Sequence, residues 1–250
     1  MNWEEILDKL ESGELRSANK VDGKWVANTA VKEGILASFK AGELKEFSET
    51  GHKGFVDKHN LAARMFTPND GIRMVPGGSS VRRGSYVASG VIIMPPAYIN
   101  VGAYVDSGSM VDSHALVGSC AQIGKNVHLS AAVQIGGVLE PIGASPVVIE
   151  DNCFVGAGAV IVEGIQVLSG AVIAPGVILS KGTPIYDAVK EKQVTDGIIP
   201  ENAVVVPGTR PVSSKLNWAN EIGLSLNCAI IVKYRDSKTD DSLKLEEFLR

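Results

Sequence analysis

The chain has 250 residues, and its reactive groups are few: four histidines, three cysteines and a scatter of carboxylates and cations. Cys120, Cys153 and Cys228 fit no metal-ligand spacing, and their odd number argues against a disulfide framework. They read as reduced, buried thiols. A zinc site of three histidines is not expected, because His52 and His59 lie apart from the regular part of the sequence that holds His114 and His128. No phosphate-cradling loop or dinucleotide fingerprint is present. Proton transfer and charge recognition remain. Histidine is the side chain type suited to proton transfer near neutral pH, so His114 could serve as a base, or it simply packs. Asp112 directly follows apolar Val111, so it points outward if Val111 points inward, either capping its own turn or facing a ligand. Arg73 offers a planar fork that grips a carboxylate with two bonds, unless it is only a surface arginine. Ser119, His128 and Ser130, each taken alone, read more simply as structural.

These groups must be held by something, and composition says what kind of scaffold it is. Lys plus Arg number 24 against 28 Asp plus Glu, a net charge of -4, too mild to draw the protein to nucleic acid or anionic lipid. The start, Met1-Asn2-Trp3-Glu4-Glu5, is acidic and unlike a signal peptide, and no apolar run approaches the ~20 residues of a membrane helix. A cytoplasmic protein without membrane or nucleic-acid partners is expected. Aromatic residues make up only 6% of the chain, while Val, Ile, Ala and Gly are plentiful. Such small and β-branched residues suit thin, regularly stacked layers.

The layers show as a period of six. Val81, Val87, Ile93, Ile99, Val105, Val111, Val117, Ile123, Leu129 and Ile135 follow one another at six-residue steps. After Gly137 to Pro146 the step resumes at Ile149, Val155, Ile161, Val167, Ile173, Leu179 and Ile185, and again at Ile199 and Val205. Two residues before each aliphatic stands a small or β-branched partner, such as Ala97, Ala103, Ser109, Ala115 and Ala121. Residues two apart in a strand share a face, so each hexad offers one large and one small inward group and then bends. Glycines including Gly102, Gly108, Gly118, Gly124 and Gly136 fall near the bends.

Outside the repeat, residues 1 to about 50 read as helical, with Trp3, Ile6, Leu7, Leu10 and Val31, Ile35, Leu36, Phe39 at helical spacing. A strand is expected at Cys228 to Tyr234 and a last helix at Ser242 to Leu249, capped by Asp241 or Ser242. The division is 1–76 for a mostly helical N-terminal domain, 77–207 for the repeat and 208–250 for a C-terminal cap that closes an open end. The interruption at Gly137 to Pro146 must leave at a corner, where loops on rigid scaffolds often bind ligands. Tyr186 to Gly197 is a second, more polar excursion.

The hexads resemble the hexapeptide-repeat proteins, and several motifs narrow the likeness. Met94-Pro95-Pro96-Ala97-Tyr98-Ile99-Asn100-Val101-Gly102, Met110-Val111-Asp112, Val117-Gly118-Ser119-Cys120-Ala121-Gln122-Ile123-Gly124 and Ile149-Glu150-Asp151-Asn152-Cys153-Phe154 are similar to those of the tetrahydrodipicolinate N-succinyltransferase family. The resemblance covers about residues 1 to 235. It implies a mainly β fold: a left-handed parallel β-helix of triangular section, about six coils long at three hexads per coil, with an α-helical N-terminal region and a small C-terminal cap. It also implies a homotrimer with active sites in clefts between neighbouring β-helices.

By the same resemblance, the chain is expected to be a CoA-dependent N-acyltransferase. It would move succinyl from succinyl-CoA to the amine of L-2-amino-6-oxopimelate, open-chain tetrahydrodipicolinate, in lysine and diaminopimelate synthesis. No cofactor would be held permanently; the CoA thioester is a cosubstrate and the other partner is a small amino-dicarboxylate. Such a transfer needs a neutral amine, a nearby acyl carbonyl and an acceptor for the amine proton. Asp112 matches the family's substrate-binding acidic residue and Arg73 its substrate-binding arginine. Asp112 or His114 is the expected base; Ser119, His128 and Ser130 could line the cleft, and Gly136 and Gly137 could pass the CoA along backbone amides. The chain departs from the family at His114, where tryptophan is usual, at Ala131, Ala132 and Gln134, where glycines are usual, and at Val160, where many members carry a glutamate implicated in catalysis. These departures leave two alternatives open. One is a paralogue using acetyl-CoA or another amino-acid acceptor, as in tabtoxin-like secondary metabolism; the other is a non-catalytic scaffold.

Overall fold

All nineteen aliphatics of the six-residue series are buried, none more than 5% exposed, and all join one core. In the computed structural model, which describes residues 1–47 and 54–236, they line a parallel β-helix of three walls. The first wall stacks the two-residue strands Ser80–Val81, Tyr98–Ile99, Leu116–Val117, Gln134–Ile135, Val160–Ile161 and Ile178–Leu179. The second stacks Tyr86–Val87, Tyr104–Val105, Gln122–Ile123, Val148–Ile149, Gln166–Val167 and Ile198–Ile199. The third runs from Arg73–Met74 through Ile92–Ile93, Met110–Val111, His128–Leu129, Phe154–Val155 and Val172–Ile173 to Val204 and Val205. Partners in register share a hexad position, as Val105 does with Ile123 and Val111 with Leu129. Large inward residues therefore stack on large ones, and the small residues two places earlier leave room for the bend.

Close approach between coils explains part of the glycine pattern. A Cβ added to Gly118 would lie 2.2 Å from the Gly137 nitrogen, so this corner admits no side chain. Gly102 and Gly108, by contrast, occupy the left-handed region, at φ 75° and 71°. The corresponding bends elsewhere hold His114 at φ 62° and Ala132 at φ 59°. Ala132, which replaces a glycine usual in the resemblance, thus accepts a conformation that costs an L-residue roughly 1–2 kcal/mol.

One member of the hexad series is not a rung. Ile185 keeps the spacing, but the second-wall position after Val167 is filled by Ile198–Ile199. The strand Ile185–Asp187 instead pairs with Lys192–Val194 and with the C-terminal strand Ser225–Tyr234. Buried Asp187 fixes this excursion by accepting from the Tyr234 hydroxyl at 2.6 Å and from the backbone amides of Val189 and Lys190. Side-chain spacing alone cannot register that a competing strand offers better backbone pairing. The rung at the other end is supplied by Arg73–Met74, which pairs in parallel with Ile92–Ile93.

The N-terminal region is helical in two pieces, α1 (Trp3–Glu11) and α2 (Thr29–Ala41). Asn2 and Glu5 form a reciprocal cap that starts α1. Ile6, Leu7 and Leu10 of α1 meet Val31 and Ile35 of α2 over Val101 and Cys120 at a corner of the coil. Between the helices the expectation of helix is corrected: Ala18–Val21 and Lys24–Ala27 form an antiparallel hairpin. Asp22-Gly23 turns it, at φ 48° and 79°, the conformation that favours this dipeptide in tight hairpins. At the other end, Ala203–Pro211 leaves the third wall and pairs with Ser225–Tyr234, with the short helix α3 (Asn217–Glu221) between them. The helix expected at Ser242 to Leu249 lies outside the described residues.

The hairpin is held to the second wall by Glu150. Its carboxylate accepts from Lys20 Nζ at 2.7 Å, Trp25 Nε1 at 2.8 Å and Ser169 Oγ at 3.0 Å. Burial acts to raise its pKa, yet these donors together hold it below the usual glutamate value. A depressed pKa stabilises the fold above the ordinary glutamate range, and that contribution is lost as pH falls through the depressed value. Amide exchange in residues 18–27, corrected for its intrinsic pH dependence, is therefore expected to accelerate in acid. In Glu150→Gln it should already be fast at neutral pH and lose that acid step. Unchanged protection in the variant would show that the hairpin is held by something else.

Candidate functional site

Three corners join the walls, and the candidate residues fall on two of them and on the outer face of the third wall. Asp112 and Ser130 begin the corner that leads from the third wall to the first, on adjacent rungs, since the Asp112 amide donates to Leu129 O and the Ser130 amide to Val155 O. His114 is exposed on the same corner, its amide donating to Pro96 O at 2.6 Å. Inward Val111 is fully buried and half-buried Asp112 turns away from the core, as the alternation requires. One carboxylate oxygen of Asp112 accepts from the Ser113 amide at 2.6 Å. The turn-capping reading and the ligand reading are thus compatible, because Oδ1 caps the turn and the second oxygen can face outward.

The outer face of the third wall runs beside this corner. In register along it come Arg73, Ile92, Met110, His128 and Phe154. Arg73 is exposed and stands two rungs from Met110, roughly 10 Å along the coil axis. His128 is half-buried, and its ring packs against Phe154 with centroids 5.1 Å apart. Asp112, His114, His128, Ser130 and Arg73 therefore occupy one side of the molecule.

Ser119, Gly136 and Gly137 occupy the next corner, where the first wall leads to the second. Val138 donates to Ser119 O at 3.0 Å, and a Cβ on Gly137 would come within 2.7 Å of the Ser119 nitrogen. Gly137 is exposed, so backbone rather than side chain forms this surface. The first wall separates the two groups, and a single chain does not bring Gly136 and Gly137 together with Asp112. On that wall's outer face Leu116, Gln134, Val160 and Ile178 stand in register; no carboxylate interrupts them.

The interrupting loop after Gly137 folds back against the N-terminal helices. Val138 is buried, Leu139 packs on the cluster of α1 and α2, and Lys32 of α2, fully buried, donates from Nζ to Ala144 O at 2.6 Å. Burial holds the Lys32 pKa below that of an ordinary lysine, despite the proximity of Cys120. Sequence reasoning passed over Lys32, Arg16, Lys20 and Trp25. The last three were legible only through Asp22-Gly23, the hairpin turn that brings them onto the second wall. The cysteines are all buried and free, and burial pushes the Cys153 thiol up to about 12. Among the described residues no three His, Cys, Asp or Glu side chains converge as a metal site. No described helix is long and apolar enough to cross a membrane.

A three-walled parallel coil of hexads, with reactive side chains outward at its corners, defines a hexapeptide-repeat protein. A family model described as the N-terminal part of tetrahydrodipicolinate N-succinyltransferase matches residues 3–41, and one described as the hexapeptide repeat of succinyl-transferase matches 146–181. A protein of Ralstonia nicotianae named 2,3,4,5-tetrahydropyridine-2,6-dicarboxylate N-succinyltransferase is 45% identical over 249 residues, covering 98% of this chain and 87% of that protein. Another of that name, from Paraburkholderia phytofirmans, is 47% identical over 248 residues, covering 98% and 86%. The chain belongs to the tetrahydrodipicolinate N-succinyltransferase family.

Proposed function

We propose that this protein transfers succinyl from succinyl-CoA to the amine of L-2-amino-6-oxopimelate, in lysine and diaminopimelate synthesis. The observation that carries the reading is the likeness, over 98% of the chain, to proteins named for N-succinyl transfer to tetrahydropyridine-2,6-dicarboxylate. The nitrogen lone pair of the neutral amine attacks the thioester carbonyl, an amide C–N bond forms, and the C–S bond breaks. The nitrogen gives up a proton and the departing CoA sulfur gains one. Asp112 receives the amine proton through its outward oxygen, with His114 two residues away as the alternative base. Arg73 grips an acceptor carboxylate. Ser130 and His128 line the acceptor side.

The coil is left-handed in this reading, and the active assembly is a homotrimer. Two adjacent corners of one subunit hold complementary halves of the site, so the acceptor corner of one copy meets Ser119, Gly136 and Gly137 of the next. Exposed apolar side chains on and beside α3, among them Trp218 at 69% and Ile222 at 53%, support burial against another copy. The CoA chain then follows the corner from Gly137 toward a cleft of about 240 Å³ lined by Ser180, Lys181 and Thr195, where a lysine can meet a phosphate. A cytoplasmic location, where CoA thioesters are made and thiols stay reduced, suits this chemistry.

A second reading has one observation behind it. The outer first wall presents Val160 where many members carry glutamate, and this favours a different acyl donor or acceptor. Acceptor-dependent release of CoA from succinyl-CoA by the purified protein, with L-2-amino-6-oxopimelate as acceptor, tests the first reading. Release with another amino acid but not with this one would establish the second.

A further inference from the structure

A cleft of about 340 Å³ lies between the N-terminal hairpin and the second wall, away from the corner that holds Asp112. Small-molecule sites begin at about this size. On one side stands Arg16. Its guanidinium carbon lies 3.7 Å from the Tyr104 ring centroid and 5.1 Å from that of Trp25, and its Nε donates to Gln122 Oε1 at 2.9 Å. No carboxylate among the described residues comes within ion-pairing distance of it. A partly buried cation is thereby held flat and fixed, with its terminal nitrogens left for a planar anion.

The cleft is also lined by carboxylates that are half satisfied. Asp106 spends one oxygen on the Ser107 amide at 2.7 Å, and Asp151 one on the Lys125 amide at 2.7 Å. Glu150, by contrast, is closed off by Lys20, Trp25 and Ser169. Between Asp106 and Glu150 the corner carries Gly124, where a Cβ would lie 2.3 Å from Asp151 Oδ1, so the Asp151 carboxylate packs directly on the glycine backbone. Both aspartates are near enough to oppose the loss of the Arg16 charge that burial favours. The cleft is thus lined by a guanidinium and by two carboxylates, each with a second oxygen besides the one that caps the backbone.

We propose that this cleft is a second small-molecule site, which binds an amino acid with its carboxylate on Arg16 and its ammonium between Asp106 and Asp151. Exposed Lys125 at the rim would hold a second carboxylate, so an acidic amino acid suits the site better than a neutral one. This does not depend on the identity of the acyl-transfer substrates. Calorimetric titration of the full chain with L-glutamate and, separately, with glutarate tests it, glutarate having the same carbon chain without the amine. L-Glutamate should bind at least tenfold more tightly than glutarate. Arg16→Gln should weaken L-glutamate binding by about 10- to 150-fold, the loss of a charge-assisted hydrogen bond. Lys125→Ala, on an exposed corner that does not bear on folding, should weaken L-glutamate by several-fold and leave L-alanine unaffected. Asp112→Asn should leave the isotherm unchanged, separating this cleft from the acceptor corner. Equal binding of L-glutamate and glutarate, indifference to both Arg16→Gln and Lys125→Ala, or loss of the isotherm in Asp112→Asn would each overturn the proposal.

Discussion

Asp112→Asn is expected to lower the acylation rate by about 10²–10⁴-fold, the usual worth of a general base, while the assembly stays intact. The substitution is nearly isosteric. Asparagine keeps an oxygen to accept from the Ser113 amide, so the turn that Asp112 caps survives. What it loses is the negative charge and the ability to take a proton from the attacking amine. The effect should fall on kcat, with the donor KM little changed, because in the proposed reading Asp112 acts on the amine proton and not on the CoA. Sedimentation of the variant identical to that of the unsubstituted protein would show that the loss is chemical. An unchanged rate would remove Asp112 from the mechanism and pass the proton to His114.

The second large effect is expected at Arg73. Arg73→Lys keeps the charge but loses the planar two-bond fork. A charge-assisted hydrogen bond is worth about 1.5–3 kcal/mol, so the acceptor KM should rise by roughly 10- to 150-fold. The donor KM should hardly move. Arg73 is exposed and sits in a two-residue strand at the end of the third wall, so the substitution opens no cavity in the core. If the donor constant rises and the acceptor constant does not, Arg73 belongs to the CoA side and the two halves of the cleft exchange roles.

The coil was legible because its core is one-dimensional. Each rung needs an inward aliphatic at a fixed step, so Val111, Ile123 and Leu129 declare themselves without knowledge of any distant partner. Ile185 shows the limit: it carries the side-chain signal, but its strand pairs with Ser225–Tyr234, about forty residues away, and periodicity carries no record of backbone partners. The N-terminal hairpin was passed over for the opposite reason. Its signal, Asp22-Gly23, is local and short and stood between two stronger helical patterns. At the candidate site, alternation set the outward direction of Asp112, and the resemblance supplied the role proposed for it. The separation of Asp112 from Gly137 by a whole wall became visible only when the rungs were stacked.

The account rests on the acyl group that is moved, and Val160 makes that the point most exposed to contradiction. The direct measurement is the ratio of kcat/KM for succinyl-CoA to that for acetyl-CoA, with L-2-amino-6-oxopimelate saturating and the product amide identified by mass. The account predicts a preference for succinyl-CoA of at least tenfold, the equivalent of about 1.4 kcal/mol in transition-state binding. Equal or better use of acetyl-CoA would contradict it and identify the protein as an acetyl-transferring relative built on the same coil.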